Sequence, residues 1–265
     1  MFGVENTIQT ENKNQLESIK MKTKLKNIEQ ERDIKILYAC ESGSRAWGFA
    51  SPDSDYDVRF IYTKPLEWYL KVSEVRDTID FIDGDFDTVG WELRKQLRLL
   101  KKSNVPAIEH LFSPITYKES NTELINELRE IALACFSPVA CVYHYLSMSK
   151  KYFEKITAEE VKLKSVFYAL RTALASKWII ETKTPAPVVF KDMLSLISNN
   201  ESNEIAQLME LKSSKNESFM STNNAIVTNL VKRTIEESNL YAKSLPGGNM
   251  NSERIDSFLY KALLK

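Results

Sequence analysis

Three cysteines in 265 residues, Cys40, Cys135 and Cys141, are too few and too unevenly spaced for a disulfide framework or a zinc site. There are only two histidines, His110 and His144, far apart along the chain. Each reads as a structural or surface residue rather than a catalytic one. No apolar run approaches the roughly 18 residues of a membrane helix, and the first thirty residues are polar, unlike a secretory leader. These absences suit a reducing cytoplasm. Net charge is missing as well: 36 basic residues balance 36 acidic ones. With no global pull on nucleic acid, any such binding must be local. The chain also lacks G-x-x-x-x-G-K-[ST], G-x-G-x-x-G, G-x-S-x-G and H-E-x-x-H, which argues against a P-loop ATPase and other common enzyme classes.

An apolar content of 43% is enough for a sizeable core in one large or two modest domains. The charges are unevenly placed. Residues 51–87 hold ten acidic and four basic residues, and residues 145–183 hold eight basic and four acidic. The acidic zone begins beside Gly43-Ser44, which is followed ten residues later by Asp55-Tyr56-Asp57. On a strand, residues i and i+2 share a face, so Asp55 and Asp57 present two carboxylates side by side. Such a pair repels itself unless a cation intervenes, and Mg²⁺ is the natural hard, oxygen-seeking partner. The small-residue turn before it offers backbone N–H groups and the Ser44 hydroxyl to phosphate oxygens. A phosphate cradle beside a Mg²⁺ site suggests phosphoryl or nucleotidyl transfer.

The wider pattern gives an amphipathic helix over 11–33, with Leu16, Ile19, Met21, Leu25 and Ile28 as its stripe. Strands are predicted over 33–40 and 56–62, with a hairpin of 78–82 and 85–89 turning at Asp83-Gly84. Pro65 opens a helix to about residue 72, and another runs from 91 to 102. Beyond 105 the pattern is almost wholly helical, with helices over 123–135, 139–153, 158–180, 190–197, 226–240 and 253–264. Residues 199–224 read as a short helix within exposed loops, and 245–252 as a flexible turn.

Four ordered segments resemble a known family. They are the string at 43–59, Asp-Phe-Asp-Thr-Val-Gly-Trp-Glu-Leu-Arg-Lys at 85–95, Lys-Ser-Asn-Val-Pro-Ala-Ile-Glu-His-Leu-Phe-Ser-Pro-Ile at 102–115, and Lys-Leu-Lys-Ser-Val-Phe-Tyr-Ala-Leu-Arg at 162–171. Together they resemble the RNA repair pathway branch of the DNA polymerase beta-like nucleotidyltransferases. The resemblance implies an α+β fold: a small mixed-sheet nucleotidyltransferase core, residues 1–115 with the N-terminal helix, then a helical domain, residues 116–265. It also implies NTP as substrate, Mg²⁺ or Mn²⁺ as cofactor, and an RNA end, that of tRNA, as acceptor.

On that reading Asp55 and Asp57 hold the metal. A third carboxylate completes the site and takes the acceptor's proton, with Asp87 the first choice and Asp85 the second. Gly43 and Ser44 hold the β- and γ-phosphates, and Arg45 pairs with a phosphate or with the carboxylates. Lys164, Tyr168 and Arg171 fall at i, i+4 and i+7 on one helix face and hold the triphosphate and base. Arg94, Lys95, Arg98, Lys101 and Lys102 form a local basic patch that would guide RNA, or would only solubilise its helix. Two rivals stay open: transfer to a protein or small molecule, and an inactive nucleotide-binding module.

Overall fold

The computed structural model describes residues 2–73, 75–249 and 252–264, with side chains from residue 17 onward. The Leu16 side chain of the expected stripe, and Met250 and Asn251 of the expected turn, lie outside these. The first helix, α1 (Phe2–Arg32), ends where Asp33 adopts φ 48°. Met21, Leu25 and Ile28 are buried as the periodicity predicts, while Ile19 is exposed.

Strand β1 (Lys35–Glu41) is buried along almost all its length. After the short α2 (Gly43–Trp47) come β2 (Tyr56–Thr63) and the single turn α3 (Leu66–Tyr69). The hairpin follows as β3 (Thr78–Asp83) and β4 (Phe86–Glu92), turning at Gly84 with φ 60°. β4 runs to Glu92, so α4 (Leu93–Lys101) begins two residues later than the pattern predicts. Glu92 explains the shift. It is the last β2–β4 partner, and its carboxylate caps α4 by accepting from the Arg94 and Lys95 amides.

Next are α5 (Val105–Leu111), β5 (Thr116–Glu119), α6 (Thr122–Ala134) and α7 (Pro138–Phe153). Their starts are set by side-chain caps: Asn104, Asn121 and Ser137 each accept an amide of the first turn. A 3₁₀ turn and β6 (Glu160–Lys162) lead into α8 (Leu163–Thr182). A second 3₁₀ stretch (Phe190–Leu196) precedes α9 (Asn199–Ser214), β7 (Met220–Thr222), α10 (Ala225–Ala242) and α11 (Ser252–Leu264).

Two features depart from the sequence pattern. β5 and β6 lie in the stretch that reads as helical, β6 where the 158–180 helix is expected to begin, and β7 lies in the 199–224 stretch that reads as a short helix within exposed loops; each is only three or four residues long and carries no periodicity of its own. The polar stretch 199–224 contains a sixteen-residue helix, α9. A Ser198–Glu201 capping box starts it and fully buried Ile205 anchors it.

The sheet order is β3-β4-β2-β1-β5, with β2 and β4 parallel and the other neighbours antiparallel. The fold class is α+β, a mixed sheet followed by helices. α1 covers one face, where Met21, Leu25 and Ile28 pack on Val58, Phe60 and Tyr62. Gly90 is required here: a Cβ at this position would lie 2.1 Å from the Phe60 ring. The opposite face carries Ile61 and Leu37 into one apolar cluster that continues through α4–α8 to Phe258. Alternation along β2 puts Asp57 and Arg59 on that second face, level with the helices.

Candidate active site

The parallel register of β2 and β4 sets Asp57 directly beside Asp87. Asp55, exposed, stands just ahead of β2, and Asp85 is exposed at the hairpin, where its carbonyl accepts the Tyr56 amide at 2.7 Å. The sheet thus brings Asp87 to the acidic pair and leaves Asp85 at the strand's entrance.

One cation lies between the paired acids. Arg59 Nη2 donates to Asp57 Oδ1 at 3.1 Å and to Asp87 Oδ2 at 2.9 Å, while its Nη1 donates to the carbonyls of Asp87 and Val58. Burial pushes the Asp57 carboxyl up from its ordinary value, and Asp87 and Asp55 push the same way; Arg59 and Lys164 oppose them. The donors suit a hard divalent cation: two carboxylates already share one positive group. Among the described residues no three His, Cys, Asp or Glu side chains gather round one point, and Arg59 occupies the space between Asp57 and Asp87.

The turn before β2 is built round Asp57. Gly43 has φ 61°, and a Cβ there would lie 2.0 Å from Asp57 Oδ2. Only glycine permits that approach. The Ser42 amide donates to the Asp57 carbonyl at 2.8 Å, and the Asp57 amide donates to Glu41 Oε1 at 2.8 Å. Ser44 is buried in the first turn of α2, whose leading amides have no intrahelical partner by geometry. Arg45 does not face the acids' side chains. Its guanidinium donates to the carbonyls of Ser54 and Asp55 and stacks 3.9 Å from the Tyr56 ring, bracing the loop before Asp55.

The three residues predicted on α8 share a face but not an environment. Lys164, 41% exposed, is paired with Glu217. Tyr168 packs on Trp47 and Tyr152, its phenol pushed up by burial and then by the Asp57 charge. Arg171 is only 3% exposed. It donates to Glu109 Oε1 at 2.7 Å and stacks 4.3 Å over Trp47, beneath α2. Glu109 also accepts from Tyr145 at 2.5 Å, and both line an apolar cavity of about 310 Å³ that holds none of the predicted residues. On α4, Lys95 pairs with Asp77 at 2.8 Å, Arg94 lies over Trp68, and Lys101 donates to Ser252.

Four further residues belong to this neighbourhood. Arg59 was legible, since it continues the i, i+2 alternation of Asp55 and Asp57. Glu41 is fully buried and bonded to Tyr117, and burial raises its carboxyl to about 7. Its place at the end of an apolar strand was the available signal. Lys212 and Glu217 reach the loop before Asp55 from about 160 residues away, and no local pattern announces that.

Comparison with known proteins places the chain in a family. The Bacillus subtilis (strain 168) protein YcgL is 42% identical over 225 residues, spanning 83% of this chain and 86% of YcgL. A crystal structure of a nucleotidyltransferase-like protein from Exiguobacterium sibiricum 255-15 covers 91% of this chain and 79% of its own, at 9% identity and a TM-score of 0.30. That likeness is too loose to bear on the site. The family described as the RNA repair pathway DNA polymerase beta family matches residues 18–261, nearly the whole chain and every acid discussed above. A match of that length, with a relative 42% identical over most of both chains, means that the chain belongs to the RNA repair pathway DNA polymerase beta family.

Proposed function

We propose that this chain is a Mg²⁺- or Mn²⁺-dependent nucleotidyltransferase that moves a nucleoside monophosphate from an NTP to a hydroxyl of an RNA end, with tRNA the RNA to test first. One observation carries the reading: Asp57 and Asp87 lie side by side in register, with Asp57 against the Gly43 turn. Asp55, Asp57 and Asp87 would together hold the cation, and the positive charge of that cation would offset the negative charge building on the phosphates. Gly43 and Ser44 would cradle the terminal phosphates through backbone amides, and Lys164 lies on the helix facing Asp57 to meet them. Asp87, 40% exposed at its side chain, is open to an acceptor and would take the hydroxyl proton as oxygen attacks the α-phosphorus and pyrophosphate leaves.

Tyr168 and Trp47 form an aromatic wall beside the acids, suited to a base or sugar. Arg171 would act from beneath, holding Trp47 and so α2 in place. Arg45 would fix the loop carrying Asp55.

The test is transfer of label from the four α-³²P NTPs, with Mg²⁺ or Mn²⁺, into tRNA, into protein and into small molecules, with an Asp55→Ala/Asp57→Ala variant alongside. Label in RNA that vanishes in the variant supports the reading and names the nucleotide. Variant-sensitive label only in protein or small molecules would replace the acceptor. No variant-sensitive label in any fraction would favour a binding module.

A further inference from the structure

Two hydrogen-bond donors from distant parts of the chain meet on one carboxylate beside the acidic site, with a buried lysine close by. Glu217 accepts from Lys164 Nζ of α8 and, at 2.7 Å, from Ser54 Oγ of the loop leading to Asp55. The Glu217 amide donates to Asp53 at 2.9 Å. Lys212, at the end of α9, is only 2% exposed, and its ammonium donates to Ser51 Oγ at 2.7 Å. Lys164 and Lys212 both attract the Glu217 carboxylate. A buried lysine, a half-exposed lysine and two hydroxyl-bearing loop residues are the usual components of a phosphate site. Here the anion at their centre is supplied by the chain itself.

We infer that Lys164, Lys212, Ser51 and Ser54 form a phosphate subsite whose anion position Glu217 takes and yields to the polyphosphate tail of the substrate. Glu217 presents the same chemistry as a phosphate oxygen: a delocalised anion that accepts from one ammonium and one hydroxyl at once. It sits on the segment between α9 and β7, tethered by the Asp53 contact and Lys212, so it can leave without unfolding a helix. Loop 51–54 is shared by the subsite and Asp55, so exchange of Glu217 for phosphate would be sensed directly at the acids. The identity of the anion as an NTP tail rests on the nucleotidyltransferase reading. The exchange itself does not.

The test uses inorganic triphosphate as the probe, titrated calorimetrically into the full chain without metal. Glu217→Gln keeps a hydrogen-bond acceptor for Ser54 and removes the competing charge. It should bind triphosphate about tenfold more tightly than the wild type, the scale set by removing one like charge at contact distance. Adding Lys164→Met to Glu217→Gln should abolish that gain. Circular dichroism and the melting temperature would confirm that both variants fold; Glu217 is a partly exposed side chain. Equal or weaker triphosphate binding by folded Glu217→Gln would overturn the proposal, as would a gain that survives Lys164→Met. The α-³²P assay separates this from the wider reading: tighter triphosphate binding without nucleotidyl transfer keeps the subsite and removes the enzyme, and transfer without tighter binding does the reverse.

Discussion

The acidic strands and the basic helix gather their residues differently. On β2 and β4 the acids are set by sheet register. Once the strands pair, Asp57 and Asp87 cannot fail to be neighbours, and alternation turns Arg59 to the same face. On α8 the periodicity is equally regular, but it fixes only direction. Lys164 stays near solvent, whereas Arg171, two turns on, is sealed beneath Trp47 with Glu109. A helix face is one stripe in sequence, yet it passes from the site's mouth to the core in about 10 Å of rise. Spacing predicted which residues share a side, and packing decided which of them a substrate can touch.

The largest effect is expected on the strand side. Asp57→Asn should lower nucleotidyl transfer by at least a hundredfold, with the melting temperature little changed, because the removed charge is destabilised in the fold by burial. Measured transfer within tenfold of wild type would take the pair out of the chemistry.

On the helix side, Arg171→Met leaves Glu109 buried without its cation and should cost roughly 3–5 kcal/mol in denaturant unfolding. Replacing both partners, Arg171→Met with Glu109→Leu, should recover most of that. If the single variant lost less than about 1 kcal/mol, Arg171 would not be the structural member of the stripe.

Two buried groups sharpen the comparison through pH. Glu41 has its folded value raised from 4.5 to about 7, so the folded form holds its proton longer than the unfolded chain does. Stability from this group therefore falls as pH rises from about 4.5 to 7. His110 has its folded value lowered from 6.5 to about 4, so its contribution falls as pH drops across that range. The two slopes oppose and largely cancel in the wild type. Glu41→Gln should uncover a stability that climbs between pH 4 and 6.5, by about 3 kcal/mol at most. His110→Gln should uncover the opposite slope. Urea titrations across pH would read both, and parallel profiles in all three proteins would refute the assignment.

Arg59→Gln removes the cation that now bridges the acids. Mn²⁺ binding, followed by electron paramagnetic resonance without nucleotide, should tighten several-fold, about 1 kcal/mol on the scale of an ion pair near the surface. Unchanged binding would mean that Arg59 and the metal do not compete. The smallest stability effect is expected for Lys164→Met: a half-exposed ion pair contributes well under about 1 kcal/mol, so unfolding should scarcely move. NTP affinity should nevertheless fall, which would separate Lys164 sharply from Arg171.

Much of this was legible along the chain. Tyr56–Thr63 shows its alternation and Asp83-Gly84 shows its turn. β5, β6 and β7 were not legible, because three- or four-residue strands exist only by virtue of their partners. α9 was hidden by its polar composition, since a single buried Ile205 and a capping box hold it.

The sequence by itself determined the acidic strand, the Gly-Ser turn that must precede it and the α+β class, because each depends on contacts within a few residues or on the period of two or 3.6. Tertiary structure alone decided that Asp87 rather than Asp85 meets Asp57, that Arg59 stands between them, that Arg171 is buried, and that Glu217 crosses about 160 residues to reach Ser54. Those outcomes depend on strand register, on which end of a helix meets the core and on where a distant segment returns, and none of these leaves a local periodicity.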